Sequence, residues 1–333
     1  MPLRHTLLAM LLAVTASAAD QPPDLSQMDP ESIAFMQSRP PAPATPPTPA
    51  ELKERYRRGR FTNQPDLPQV DRTREYLIPS PAGEIRTRLY RGAGTADRPI
   101  LPVLVYFHGG GWMQGDLDTH EWHCRSIANA GQCAVLAIDY RTTPEHVFPA
   151  AYDDALAATR WVFENAALLK IDPARISVGG DSAGGNLAAA VALALRDEGR
   201  LHLHSQILLY PAVDLTMSGP YYGRFTKGVI LTDDLMRTFI DAYIPNPAQR
   251  QDWRASPLLA PSLKGLPPTF LLIAGFDPLS AEDEAFATRL EKEGVPVTRK
   301  RFPGQMHGFL SNARLLPKAL QAVEEIGKAL RAE

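Results

Sequence analysis

His108-Gly109-Gly110-Gly111-Trp112 and Gly180-Asp181-Ser182-Ala183-Gly184 are the two stretches of this chain whose residue types and spacing could do chemistry. In the second, glycines two positions either side of a serine allow a turn sharp enough to expose its hydroxyl between a strand and a helix. In the first, consecutive glycines can aim backbone N–H groups at a developing negative charge. By composition alone, Gly-x-Ser-x-Gly arises in roughly one chain in ten of this length, and His-Gly-Gly-Gly in about one in several hundred. Their order and separation weigh more than either alone. Together they point to acyl transfer through a serine nucleophile.

A serine hydroxyl needs a base, and in this arrangement the chain order is nucleophile, acid, histidine. Three histidines follow Ser182: His202, His204 and His307. The first two precede a strand and so fall on the wrong edge of a sheet. His307, in Pro303-Gly304-Gln305-Met306-His307-Gly308-Phe309, follows the last strand and is the expected base. Asp277, directly after a strand in Gly275-Phe276-Asp277-Pro278-Leu279, is the expected acid, with Asp214 as its rival. Glu282, Asp283 and Glu284 read instead as acidic complements of a helix N-terminus. Gly109, Gly110 and Ala183 are the expected oxyanion donors, with His108 and Gly111 supporting the loop. Trp112, Tyr221, Tyr222 and Phe225 are candidate pocket residues.

These groups require a scaffold. Strand-like apolar runs fall at 74–78, 84–90, 103–107, 134–138, 176–179, 206–210, 269–274 and 297–302, with helical patterns between them. The first two, separated by Pro79-Ser80-Pro81-Ala82-Gly83, read as a hairpin. Several of the others are continuously apolar, as strands buried on both faces are. The expected fold class is α/β: an eight-stranded, mostly parallel sheet with helices on both faces. The interval between the sixth and seventh strands is too long for one crossover. Its aromatic content, at about 214–255, suggests a helical cap over the C-terminal edge of the strands.

Upstream, residues 20–70 form a proline-rich arm with short helix candidates at 29–37 and 50–58, expected to contribute to the cap; the hydrolase domain proper spans 71–333. Residues 1–19 read as a signal peptide, with Arg4 and His5, an apolar run at 7–14, and small residues at 16–19. The run is too short to span a bilayer comfortably, so an exported, periplasmic or secreted protein without a stable membrane anchor is expected.

Composition excludes other classes. With 35 basic and 37 acidic residues the formal net charge is −2, and no basic run is interleaved with aromatics, so no nucleic-acid partner is expected. His120-Glu121-Trp122-His123-Cys124 has histidines three apart, as zinc ligands sometimes are, but no third ligand is evident and a solvated helix face is the expected reading. The two cysteines, Cys124 and Cys133, read as buried unpaired thiols, with a disulfide between them left open because export would permit one. Neither a metal nor a cofactor is expected, and a homodimer is left open.

The motifs together resemble the bacterial hormone-sensitive-lipase-like esterases, a branch of the α/β-hydrolase fold. The resemblance runs from about residue 70 to the C-terminus and includes Asp139-Tyr140-Arg141, Pro144-Glu145-His146 and Phe148-Pro149-Ala150-Ala151. It implies a triad of Ser182, Asp277 and His307, oxyanion donors Gly109, Gly110 and Ala183, a helical cap and a small-molecule ester substrate. The chain departs from the family's usual Asp-Pro-Leu-Arg-Asp by reading Asp277-Pro278-Leu279-Ser280-Ala281, and Thr142-Thr143 replaces Leu-Ala before Pro144. The expected activity is that of a serine carboxylesterase acting on short- to medium-chain esters. An amidase or peptidase would use the same residues, and a non-catalytic binding protein on this fold would show a damaged triad.

Overall fold

A computed structural model describes residues 23–40, 45, 47–220 and 222–332. The signal-peptide reading at 1–19 and the candidate pocket residue Tyr221 lie outside the described residues.

Eight strands form one sheet in the order β1-β2-β4-β3-β5-β6-β7-β8. β1 (Arg72–Ser80) and β2 (Gly83–Arg91) are the expected hairpin, and β2 also runs antiparallel to β4 (Ala134–Asp139). All other neighbours are parallel: β3 (Leu101–Phe107), β5 (Ile171–Asp181), β6 (Gln206–Leu209), β7 (Thr269–Phe276) and β8 (Val297–Met306). The central strands are buried almost without interruption, while β1 is mostly exposed, as an edge should be.

Two apolar clusters flank the sheet. One packs α4 (Ala150–Glu164), the short α5 (Ala166–Leu169), α6 (Ala183–Glu198) and α8 (Ser280–Lys292) on one face; the other packs α3 (Glu121–Gly131) and α9 (Lys318–Arg331) on the opposite face. The alanine and leucine content of α6 suits its burial, and Gly199 ends it in the left-handed region.

The arm is not a loose extension. Helix α1 (Pro30–Ser38) buries Phe35 with the α3/α9 cluster. Helix α2 (Pro49–Asn63) starts at a Thr48/Glu51 capping box with Pro49 in its first turn. Leu25 packs on Gly228 of the excursion between β6 and β7. In that excursion, α7 (Asp233–Tyr243) is strongly amphipathic and buries Met236, Phe239, Ile240 and Tyr243. Phe239 packs on Gly111, and Tyr243 stacks on Trp112 with ring centroids 4.6 Å apart, so α7 sits directly on the triglycine loop.

Candidate active site

The loops carrying Gly109, Ser182, Asp277 and His307 follow β3, β5, β7 and β8, and all open at the C-terminal edge of the sheet. Ser182 has φ 56° and ψ −118°, a strained conformation for a non-glycine residue. Close approach to β3 enforces that turn: a Cβ on Gly180 or Gly184 would run into the carbonyl oxygen of Phe107. Asn186, at the start of α6, donates to the carbonyls of Ala212 (2.7 Å) and Ala255 (2.8 Å) and so ties this helix to the excursion.

His307 Nε2 lies 2.8 Å from Ser182 Oγ, and His307 Nδ1 lies 2.6 Å from Asp277 Oδ2. The other carboxylate oxygen of Asp277, which is fully buried, accepts the N–H of Leu279 at 2.9 Å. A carboxylate on Nδ1 places the ring proton there and leaves the Nε2 lone pair facing the serine hydroxyl. Asp214, the rival acid, accepts instead from Thr216 and Ser218. His202 and His204 lie in the loop before β6, at the opposite end of the strand from this edge. The arm reaches the end of β8, just before His307: the N–H of Asp29 donates to Gly304 O (3.0 Å), and its carboxylate accepts from Gln305 Nε2 (2.7 Å).

The triglycine loop corrects one expectation. The N–H of Gly109 donates to Asp181 Oδ1 at 2.9 Å and is not free to meet a substrate oxyanion. Gly110 and Gly111 both have positive φ, and their N–H groups, like that of Ala183, have no acceptor among the described residues. The support expected of His108 is present: its ring stacks on Tyr140 at 4.2 Å, and Tyr140 Oη donates to its carbonyl at 2.6 Å.

Asp181 also accepts from Tyr106 Oη (2.7 Å) and lies 3.5 Å from His120 Nε2. Burial opposes its charge, but the His120 ring first, then the His123 ring and the Arg60 guanidinium, act the other way and hold it well below the usual carboxylate range. Removing this clamp with Asp181→Ala leaves the Gly109 N–H buried without its acceptor. Steady-state kinetics should show kcat lowered by about 10²-fold with KM little changed, comparable to losing one oxyanion donor.

His120 and His123 are buried beneath the loop, which overturns the expected solvated face. Burial pushes His120 down to about 4, so it is neutral at pH 7. Cys124 and Cys133 are buried and unpaired. Among the described residues no group of three or more His, Cys, Asp or Glu side chains could hold a metal ion.

The candidate pocket residues have defined contacts. Trp112 is buried against Tyr243, Phe225 is buried in the α3/α9 cluster, and Tyr222 Oη donates to Glu282 Oε2 at 3.0 Å. Glu282 and Asp283 occupy the first turn of α8 as expected, yet both are buried rather than solvated. Glu282 accepts from the N–H groups of Val213 and Asp214, and burial, with Asp214 nearby, raises it to about 8. Its folded value thus exceeds the ordinary one of 4.5. The stability this group confers is complete below about 4.5 and is lost as pH rises through about 8. Denaturant titrations at pH 5 and pH 8 should show Glu282→Gln flattening that dependence by a few kcal/mol. An unchanged slope would rule out a neutral Glu282.

The family model that matches, described as alpha/beta hydrolase fold, covers residues 104–311. The carboxylic ester hydrolase LipN of Mycobacterium tuberculosis is 42% identical over 77% of this chain and 69% of its own length. An ethyl acetate hydrolase of Pseudomonas putida is 37% identical over 73% of this chain and 77% of its own. Among solved structures, a Pyrobaculum calidifontis esterase superposes with TM-score 0.83 at 36% identity, covering 91% of this chain and 98% of that one. An ester hydrolase from the Lake Arreo metagenome, bound to a bipyridine phosphonate derivative, gives 0.86 at 39% identity with the same coverages.

Proposed function

The chain belongs to the α/β-hydrolase fold family, within its hormone-sensitive-lipase-like esterases, and from that premise we infer that it is a serine carboxylesterase acting on short- to medium-chain esters through an acyl-enzyme. The observation that carries the mechanism is the unbroken line Asp277–His307–Ser182, with contacts of 2.6 and 2.8 Å.

His307 Nε2 takes the hydroxyl proton as Ser182 Oγ attacks the ester carbonyl. The ring's new positive charge is balanced by Asp277 across Nδ1. Negative charge develops on the carbonyl oxygen, and Gly110, Gly111 and Ala183 supply the N–H groups to meet it. Collapse of the tetrahedral adduct expels the alcohol, which receives the proton from Nε2. Water then enters by the same base and releases the acid.

The intact triad argues against a binding protein that has lost hydrolysis, and relatives named for ester hydrolysis favour esters over amides. The excursion carrying α7, with the arm packed on it, serves as the cap. The basic, apolar and small-residue order of the first nineteen positions supports export.

The test is hydrolysis of p-nitrophenyl esters from C2 to C12 beside a matched ester–amide pair. Activity greatest at the shorter chains, dependent on Ser182, is the expected result. Preference for the amide, or no turnover by folded protein, would overturn the reading.

A further inference from the structure

Arg60 is a cation that the reaction does not use. It lies on α2, in the proline-rich arm, and its side chain is buried. Its guanidinium donates to Tyr56 Oη and stands 4.3 Å from the centroid of that ring. It makes no direct ion pair among the described residues, and Nη1 has no partner there. A buried charge without a countercharge is costly, so something nearby should balance it.

A line of close polar contacts leads to the balancing group. Tyr56 Oη lies 3.3 Å from His120 Nε2, which lies 3.5 Å from Asp181 Oδ1, the oxygen that accepts the Gly109 N–H. Burial leaves His120 neutral at pH 7 and pushes His123 well down too, so both rings act on Asp181 as neutral polar groups without a permanent charge. Arg60 is the permanent cation that acts on Asp181. Asp181 in turn fixes the loop sterically as well, since a Cβ on Gly109 would strike its carboxylate.

We propose that Arg60 is a positioning residue: through Tyr56 and His120 it holds the Asp181 carboxylate against Gly109, so the arm helix sets the aim of Gly110 and Gly111. This rests on the serine-esterase reading above. It makes the arm part of the catalytic geometry and assigns the charge that the mechanism left unexplained.

The experiment is a double-mutant cycle read as kcat and KM on p-nitrophenyl butyrate. Arg60→Met should lower kcat about tenfold with KM within about twofold, the pattern of a mis-aimed transition-state donor. Arg60→Lys, which keeps the charge, should recover most of that loss. With Asp181→Asn already present, Arg60→Met should cost less than about twofold more, because its effect passes through Asp181. Wild-type kcat in Arg60→Met, or an equal loss with and without Asp181→Asn, overturns the proposal. If Arg60→Met does not fold, Tyr56→Phe removes one hydroxyl from the relay and keeps the ring. A severalfold loss of kcat that vanishes in the Asp181→Asn background supports the relay, and a wild-type rate sinks it. Turnover by Ser182→Ala, or none by the wild type, would instead defeat the underlying esterase reading.

Discussion

Ser182→Ala should lower kcat by on the order of 10⁶-fold while the protein stays folded. The side chain lost is one oxygen, whose single hydrogen-bond partner is His307 Nε2. Removing that bond costs about 1 kcal/mol of stability, and alanine tolerates the strained φ no worse than serine. Chemistry and folding therefore separate: hydrolysis of p-nitrophenyl butyrate collapses, and the urea midpoint moves little. His307→Ala should be nearly as damaging, and the double variant scarcely worse, because base and nucleophile act as one unit. Turnover by Ser182→Ala above a tenth of the wild-type rate would remove Ser182 from the mechanism.

The second large effect is on the fold. Gly184→Ala places a methyl group against the carbonyl of Phe107, with Phe107 C itself only 2.5 Å away. The obstacle is backbone in a central, almost wholly buried strand, so no rotamer change relieves it. The expected cost is on the order of 4 kcal/mol, visible as a lower urea midpoint or lost soluble yield. Any folded fraction should be slow, because separating α6 from β3 also displaces Ser182 and Ala183. Gly199→Ala is the control: its φ is 65°, but nothing lies within 4 Å, so only the left-handed penalty of about 1 kcal/mol applies. Equal effects at the two positions would show that crowding against β3 is not what requires Gly184.

Much of the candidate site was legible because each proposed catalytic group is announced locally. Ser182 sits between its glycines, and Asp277 and His307 each follow a readable strand, so chain order assigned the roles. Sheet order was not legible. β3 and β4 exchange places relative to the chain, and both are short apolar runs with nothing in their sequence to say which pairs with β2. Gly109, one of the three expected oxyanion donors, failed for a similar reason. Three consecutive glycines look alike until the Asp181 carboxylate, supplied from another strand, takes the N–H of the first. His120 and His123 read as a solvated face because no sequence signal shows that α3 turns them under that loop. β5 extends back to Ile171, through a segment that Asp172-Pro173 makes resemble a turn.

Asn186 gives the excursion a property that neither its length nor its contents suggest. One amide group holds Ala212 at its entrance and Ala255 near its exit, from a helix that belongs to the sheet. The frame therefore sees the excursion as a closed ring attached at a fixed gate. Provided α7 keeps its seat on the triglycine loop, the remaining chain beyond that gate can be lengthened or shortened at only a slowly growing entropic cost, without disturbing strand register. With the excursion as the proposed cap, grafting one from a relative between these two anchor points is the natural route to a new substrate range.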